Sequence, residues 1–188
     1  MIPIPTSARD IASINRTLGL IRQKGVSVGV HPIMRRMIIT DFSLETQGGT
    51  ASQFSYSKNV TLSKEFLRQG YTVHVAANGD FYRNSGTSTI QFWVYLDSND
   101  IIEFAVIPTP DSSTVYWTLD AYIMVVETGG SGNITAFGHV FLNGLNTAQG
   151  SGVIIDTTPD HLLQINVQHG SSSDASVLRS LIVDVMQS

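Results

Sequence analysis

From residue 36 onward, apolar side chains recur at every second position in one short run after another. Tyr71, Val73, Val75 and Ala77 share one parity, with Thr72, His74 and Ala76 on the other. Ile90, Phe92, Val94 and Leu96 alternate with Gln91, Trp93 and Tyr95, and Leu163, Ile165 and Val167 alternate with Gln164, Asn166 and Gln168. The pattern repeats at Ile38, Thr40, Phe42 and Leu44, at Phe137, His139 and Phe141, and at Leu181, Val183 and Val185. A period of two puts one set of side chains on one face of an extended strand, whereas a helix would scatter them around its axis. Turn-forming clusters separate the runs: Asn78-Gly79-Asp80, Asp97-Ser98-Asn99-Asp100, Gly129-Gly130-Ser131-Gly132, Asn143-Gly144 and Ser171-Ser172-Ser173. Seven or eight short strands joined by polar turns predict an all-β antiparallel sandwich or barrel. Lys64–Gly70 reads as one helical turn or a loop between strands.

Two of the runs are apolar on both parities. Behind Ile90–Leu96 stand Trp93 and Tyr95, and behind Ala121, Ile123 and Val125 stand Tyr122, Met124 and Val126. A strand in a two-sheet sandwich has only one face toward the core, so the second apolar face needs another cover. Monomers seldom expose large contiguous apolar patches, and a neighbouring subunit is the expected cover. Trp93, Tyr95, Tyr122 and Met124 are therefore candidate interface residues.

Residues 7–24 form the one good helical window, with Ser7 as a cap, Asp10 in the first turn and Gly25 as a stop. Ile11, Ile14, Leu18 and Ile21 make a seam about two heptads long, which either docks on the chain's own body or pairs with sister copies. Isoleucine at most seam positions favours three or four strands over two, so the expected partner set is a homo-oligomer, a trimer first. Charge divides at the same place. Residues 1–36 carry six basic side chains against one acid, a net +5, while the rest carry five against fourteen, a net −9. The expected division is an arm or helix at 1–35 for anchoring or assembly and a β-sandwich at 36–188. The arm would meet other proteins or, as the alternative, a nucleic acid.

Much chemistry is excluded. Zero cysteine removes disulfides, thiolate zinc sites and cysteine nucleophiles. The five histidines form no HxxxH or HExxH pair, so no metal site is expected, and no cofactor is implied. No GxSxG elbow occurs, and Gly129–Gly132 lacks the Lys-Ser/Thr ending of a phosphate loop. Glu103, Asp120 and Glu127 fall on or near strands and could converge in a groove, but acids at strand ends commonly serve solvation, so no catalytic residue is assigned and no enzyme is expected. No apolar run approaches the roughly 20 residues of a membrane span, and MIPIPTSARD does not read as a signal peptide. A charged content of 14%, with three lysines, is unlike a helical enzyme.

The stretch from Gly70 through Tyr-Thr-Val-His-Val-Ala-Ala-Asn to Gly79 resembles a phrase of tailed-bacteriophage structural proteins. So do Ile90–Leu96, Trp117–Val126, Gly129–Gly132, Ala136–Gly138, and the ending from Asp156-Thr-Thr158 through Leu162–Val167, Ser171–Ala175 and a last strand at 177–186. Over residues 65–186 the order is similar to virion proteins with jelly-roll domains, many of them trimeric fibre, spike or decoration components. Gln168-His169-Gly170 stands where many of them have serine or tryptophan. The resemblance implies a jelly-roll head in a virion, contacts with other virion proteins through residues 1–35, and host-surface glycan or protein contact through loops 78–89, 108–116 and 143–153. It carries over no catalytic residue. The alternatives are a capsid jelly roll whose basic arm touches the genome and a carbohydrate-binding module.

Overall fold

The computed structural model describes residues 34–41, 45–48, 51–84, 88–109, 114–142 and 145–187, with backbone alone for 34–41 and 145–148. The chain divides into two compact units, 1–33 and 34–188, and the second holds every described strand. Ile11, Ile14, Leu18 and Ile21 lie outside the described residues.

The described strands, in chain order, are β1 (Met34–Asp41), β2 (Glu45–Gly48), β3 (Phe54–Leu62), β4 (Tyr71–Tyr82), β5 (Thr89–Leu96) and β6 (Asn99–Glu103). They continue with β7 (Ile107–Pro108), β8 (Thr114–Glu127), β9 (Gly132–Leu142), β10 (Leu145–Ile155), β11 (His161–His169) and β12 (Ala175–Gln187). A 3-10 turn, Lys64–Phe66, joins β3 to β4. All pairings are antiparallel. One sheet runs β1-β12-β4-β8-β9-β10, with β2 extending the β1 edge along β12; the other runs β3-β11-β5-β6, with β7 on β5. The chain crosses from one sheet to the other at β2–β3, β3–β4, β4–β5, β7–β8, β10–β11 and β11–β12. That order fits a jelly roll to which the β9–β10 hairpin adds two strands.

Alternation built these sheets as the sequence predicts. Val73, Val75 and Ala77 of β4, Phe92, Val94 and Leu96 of β5, Leu163, Ile165 and Val167 of β11 and Val183 and Val185 of β12 meet in one core between the sheets. Its centre is aromatic: Phe92 lies 4.8 Å from Trp117, and Tyr56 stacks on the other side at 6.5 Å. Several polar groups drawn into this core find partners. Trp117 Nε1 donates to the Asp80 carbonyl, and the Tyr56 hydroxyl sits 2.6 Å from Ser176 Oγ, which His169 Nε2 also contacts at 2.9 Å.

Two turn expectations are corrected. Asn78-Gly79-Asp80 is no turn but the interior of twelve-residue β4. Gly79 is there because a Cβ would stand 1.8 Å from the Val177 carbonyl oxygen and 2.6 Å from the Trp117 ring. The expected loop at 143–153 is mostly strand β10, paired with β9 from Leu145 to Ile155. Gly129–Gly132 and Asp97-Ser98 do turn the chain, Gly129 at φ 121° and Asp97 at φ 54°.

Candidate functional site

The outer face of the larger sheet is built from the second parity of β4, β8 and β9. On β8, Leu119, Ala121, Ile123 and Val125 point into the core, which turns Tyr116, Thr118, Asp120, Tyr122, Met124 and Val126 outward. On β9 the inward set is Ile134, Ala136, Gly138, Val140 and Leu142. Gly138 is fixed by contact: a Cβ there would lie 2.7 Å from the Asp120 carbonyl oxygen and 3.0 Å from Ala121. The small residues take the crowded side, and Phe137 and Phe141 are left facing out.

The result is a sheet face with an apolar stripe. Phe137 is 45% exposed and Phe141 43%, with Tyr116 at 51% beyond Phe141, Met124 at 36% and Val126 at 41% along β8, and Ile154 at 74% on β10. Across the strands, rings form a ladder: His74 stacks on Tyr122 at 4.7 Å and 22°, and Tyr122 on Phe137 at 5.1 Å and 16°. His74 is held from both sides, Nδ1 at 3.3 Å from Asp184 Oδ2 and Nε2 at 3.2 Å from Asp120 Oδ1. These bonds fix the ring plane and so the tilt of the whole ladder. Beside Phe137, an open depression of about 530 Å³ is floored by Gly138 and Gly150 and edged by His139 and Gln149.

The predicted interface residues are not brought together. Tyr122 and Met124 lie on this face, while Trp93 and Tyr95 lie on the outer face of the smaller sheet, across the sandwich. Trp93 is 6% exposed, so the chain already covers it and little is left for a partner. That corrects the expectation that Trp93 needs a subunit to hide it. Tyr95 is half-buried, its hydroxyl accepting from Gln53 Nε2 at 3.2 Å. Amides Gln91, Gln164 and Gln168 surround the pair, with Gln91 Nε2 donating to Glu103 and to the Phe104 carbonyl.

Phe137 and Phe141 escape the sequence reading because a large aromatic on an alternating strand is ordinarily core. One signal marks them: from Gly132 to Ile155 the hairpin has no Asp, Glu, Lys or Arg, although it is two strands with an outer face. A solvated outer face would carry charge.

Among the described residues, no group of three or more His, Asp or Glu side chains is placed to hold a metal ion, and no helix is long and apolar enough to cross a membrane. A second depression, about 620 Å³, lies at one end of the sandwich among Lys64, Arg68, Thr128, Gly129, Thr157 and Thr158. Arg68 is paired there with Glu65.

No family model matches the sequence, and no curated protein matches it. Among solved structures, the chain is similar to the CBM2 module of the evolved Dit of Lactobacillus casei BL23 phage J-1, at 7% identity and TM-score 0.43, covering 83% of this chain and 98% of that one. It is similar to winged bean acidic lectin in complex with methyl-α-D-galactose, at 6% identity and TM-score 0.39, covering 82% and 100%. A third likeness is to infectious bursal disease virus Gt strain, at 7% identity and TM-score 0.33, covering 86% of this chain and 37% of that one. Likenesses at this level carry no argument about function.

Proposed function

We propose that this chain is a structural component of a virus or bacteriophage particle, of the fibre, spike or decoration kind, working as a homo-oligomer. The single observation that carries the reading is the exposed aromatic stripe on the outer face of the larger sheet, beside a β9–β10 hairpin that carries no Asp, Glu, Lys or Arg. The sequence resemblance over residues 65–186 to jelly-roll virion proteins supplies the particle setting. Surface recognition of a host would then gain from several copies acting together, each contact weak by itself.

Sedimentation equilibrium of the full chain at tens of micromolar tests it. The expected result is a mass at a whole multiple of 20.4 kDa. A single 20.4 kDa species at 100 µM would remove the reading.

A second reading, carbohydrate binding, draws on the smaller sheet, where Gln91, Gln164 and Gln168 present amides around Tyr95. It ranks lower because Trp93, the larger ring, is covered. Binding on a glycan array that Tyr95→Ala and Gln164→Ala both abolish would raise it above the first. An empty array would end it.

A further inference from the structure

We infer that the partner of the β8–β9–β10 face is a second copy of the same face, with the Phe137 ridge of each chain seated over the glycine trough of the other. This rests on the assembly reading above and gives it a surface and a symmetry.

The first observation is the trough. Gly150 and Gly152 stand on the outer parity of β10, opposite Phe137 and Thr135 of β9. Neither is demanded by the chain's own packing. A Cβ at Gly150 would meet only ordinary contacts, 3.6 Å to the Ala136 carbonyl oxygen and 3.8 Å to Phe137 Cβ, and one at Gly152 would meet nothing within 4 Å. Gly79 and Gly138 are different, since there a Cβ would strike backbone. Glycine in a strand interior costs chain entropy, and where the fold does not need it, it marks close approach by another group.

The second observation is charge. The hairpin from Gly132 to Ile155 carries no formal charge. Asp120 on neighbouring β8 already contacts His74 Nε2 at 3.2 Å; on the hairpin itself an ionic partner would find nothing to pair with, and depletion of charge is the mark of an interface core. β10 also lacks proline and lysine, the residues that keep neighbours off a terminal strand.

The third is area. An aromatic side chain presents roughly 200 Å², so the three exposed apolar side chains of the hairpin, Phe137, Phe141 and Ile154, sum to roughly 300 Å² of apolar surface, while Tyr116, Met124 and Val126 of β8 flank the partner copy's terminal strand. With the polar rim of Asn133, Thr135 and His139, the face has the size of a weak, reversible interface, below roughly 600 Å² per partner.

Register then selects the symmetry. A two-fold axis lying in the interface, along the strands and midway between β9 and β10, sets each copy's β9 over the other's β10. Phe137 falls over the partner copy's Gly150, because those two positions share a level in the ladder. Facing sheets cross at about −30°, so the fit is closest at this pivot. The contact is isologous and closed.

The chain has no cysteine, so one introduced thiol carries one spin label. Ser131, in the β8–β9 turn at the rim, is exposed, and Asn59 lies on the outer face of the smaller sheet. With sheets about 10 Å apart, labels at Ser131→Cys should give an intermolecular distance within roughly 20 Å, and labels at Asn59→Cys beyond roughly 40 Å. Sedimentation should give twice 20.4 kDa. Gly150→Val should weaken association at least tenfold while raising the melting temperature of the dissociated chain, opposite signs that a fold-supporting glycine would not give. Phe137→Ser should weaken association as much, with a fall in that melting temperature of a few degrees from the lost stack on Tyr122. A trimer, or an oligomer with the label distances reversed, would overturn this pairing and leave the assembly reading standing. A monomer at 100 µM would overturn both.

Discussion

Gly79 shows how much one missing carbon decides. The strand β4 crosses beneath Trp117 while hydrogen-bonded to β12, whose register shifts between Leu178 and Ser180 at this level. Any side chain would be driven into the Val177 carbonyl 1.8 Å away, and backbone there cannot yield without breaking the ladder. Gly79→Ala is expected to cost about 3 kcal/mol or more, at the upper end for overpacking, read as a fall in urea midpoint with unchanged slope. Glu45 acts at a distance from the core. Burial alone would raise its pKa, but the backbone N–H groups of Ser57 and Lys58, donating at 2.5 and 3.0 Å, outweigh that and hold the carboxyl below its ordinary value. A folded pKa below the unfolded one gives stability that is complete above the unfolded value, about 4.3, and is lost as pH falls through the folded value. Glu45→Gln should therefore flatten the stability profile below pH 5 and cost about 1 kcal/mol at pH 7, measured by urea titration across pH 3–7.

At the scale of elements, the segment joining β4 to β5 hangs on Asp174. Its carboxylate is fully buried, accepting from the Asn84 backbone N–H at 2.9 Å and from the Ser88 hydroxyl. Asp174→Ala strands two donors, and removal of a buried charged acceptor costs about 2–3 kcal/mol. Hydrogen exchange should rise at the Asn84 amide more than at β8 or β11, because the loss is local. The strands themselves were legible: β4 and β11 show a period of two, as do β5 at Ile90–Leu96 and β12 at Leu181–Val185 on their inner parities, which are the core. Two kinds of element were not. β10, with the sequence LNTAQGSGVII, alternates poorly and exists because β9 offers it a paired edge eleven residues long. The face of β9 was ambiguous, since Ala-Phe-Gly-His-Val-Phe fits either way round. Only the close approach of β8 at Gly138, which no single sequence reveals, decides that the rings go out. Trp93 stands on the outer parity of β5 yet is 6% exposed, which alternation in a single sequence does not reveal.

The whole molecule puts its core in one place. The buried apolar cluster draws on residues between Tyr56 and Val185, all inside the 34–188 unit. Both sheets are complete within that unit, the edge strands β1 and β2 included. Every residue of that cluster lies within 34–188, so a chain of 34–188 is expected to fold cooperatively. Removing residues 1–33 also takes away the Ile11, Ile14, Leu18 and Ile21 seam and most of the basic surplus. The truncation thereby separates the two proposed contacts, the seam expected from the sequence at residues 11–21 and the β9–β10 face. If the face is the principal contact, 34–188 keeps a mass near twice its own, and Phe137→Ser in that shortened chain reduces it to one. If the seam dominates, the shortened chain is already a monomer, and the full chain carrying Phe137→Ser sediments unchanged. The measurement is sedimentation equilibrium on four proteins, long and short, each with and without the substitution. An additive result, in which each change lowers association by its own factor, would mean that both devices act in one particle. The sheet face would then pair the heads that the arms hold together.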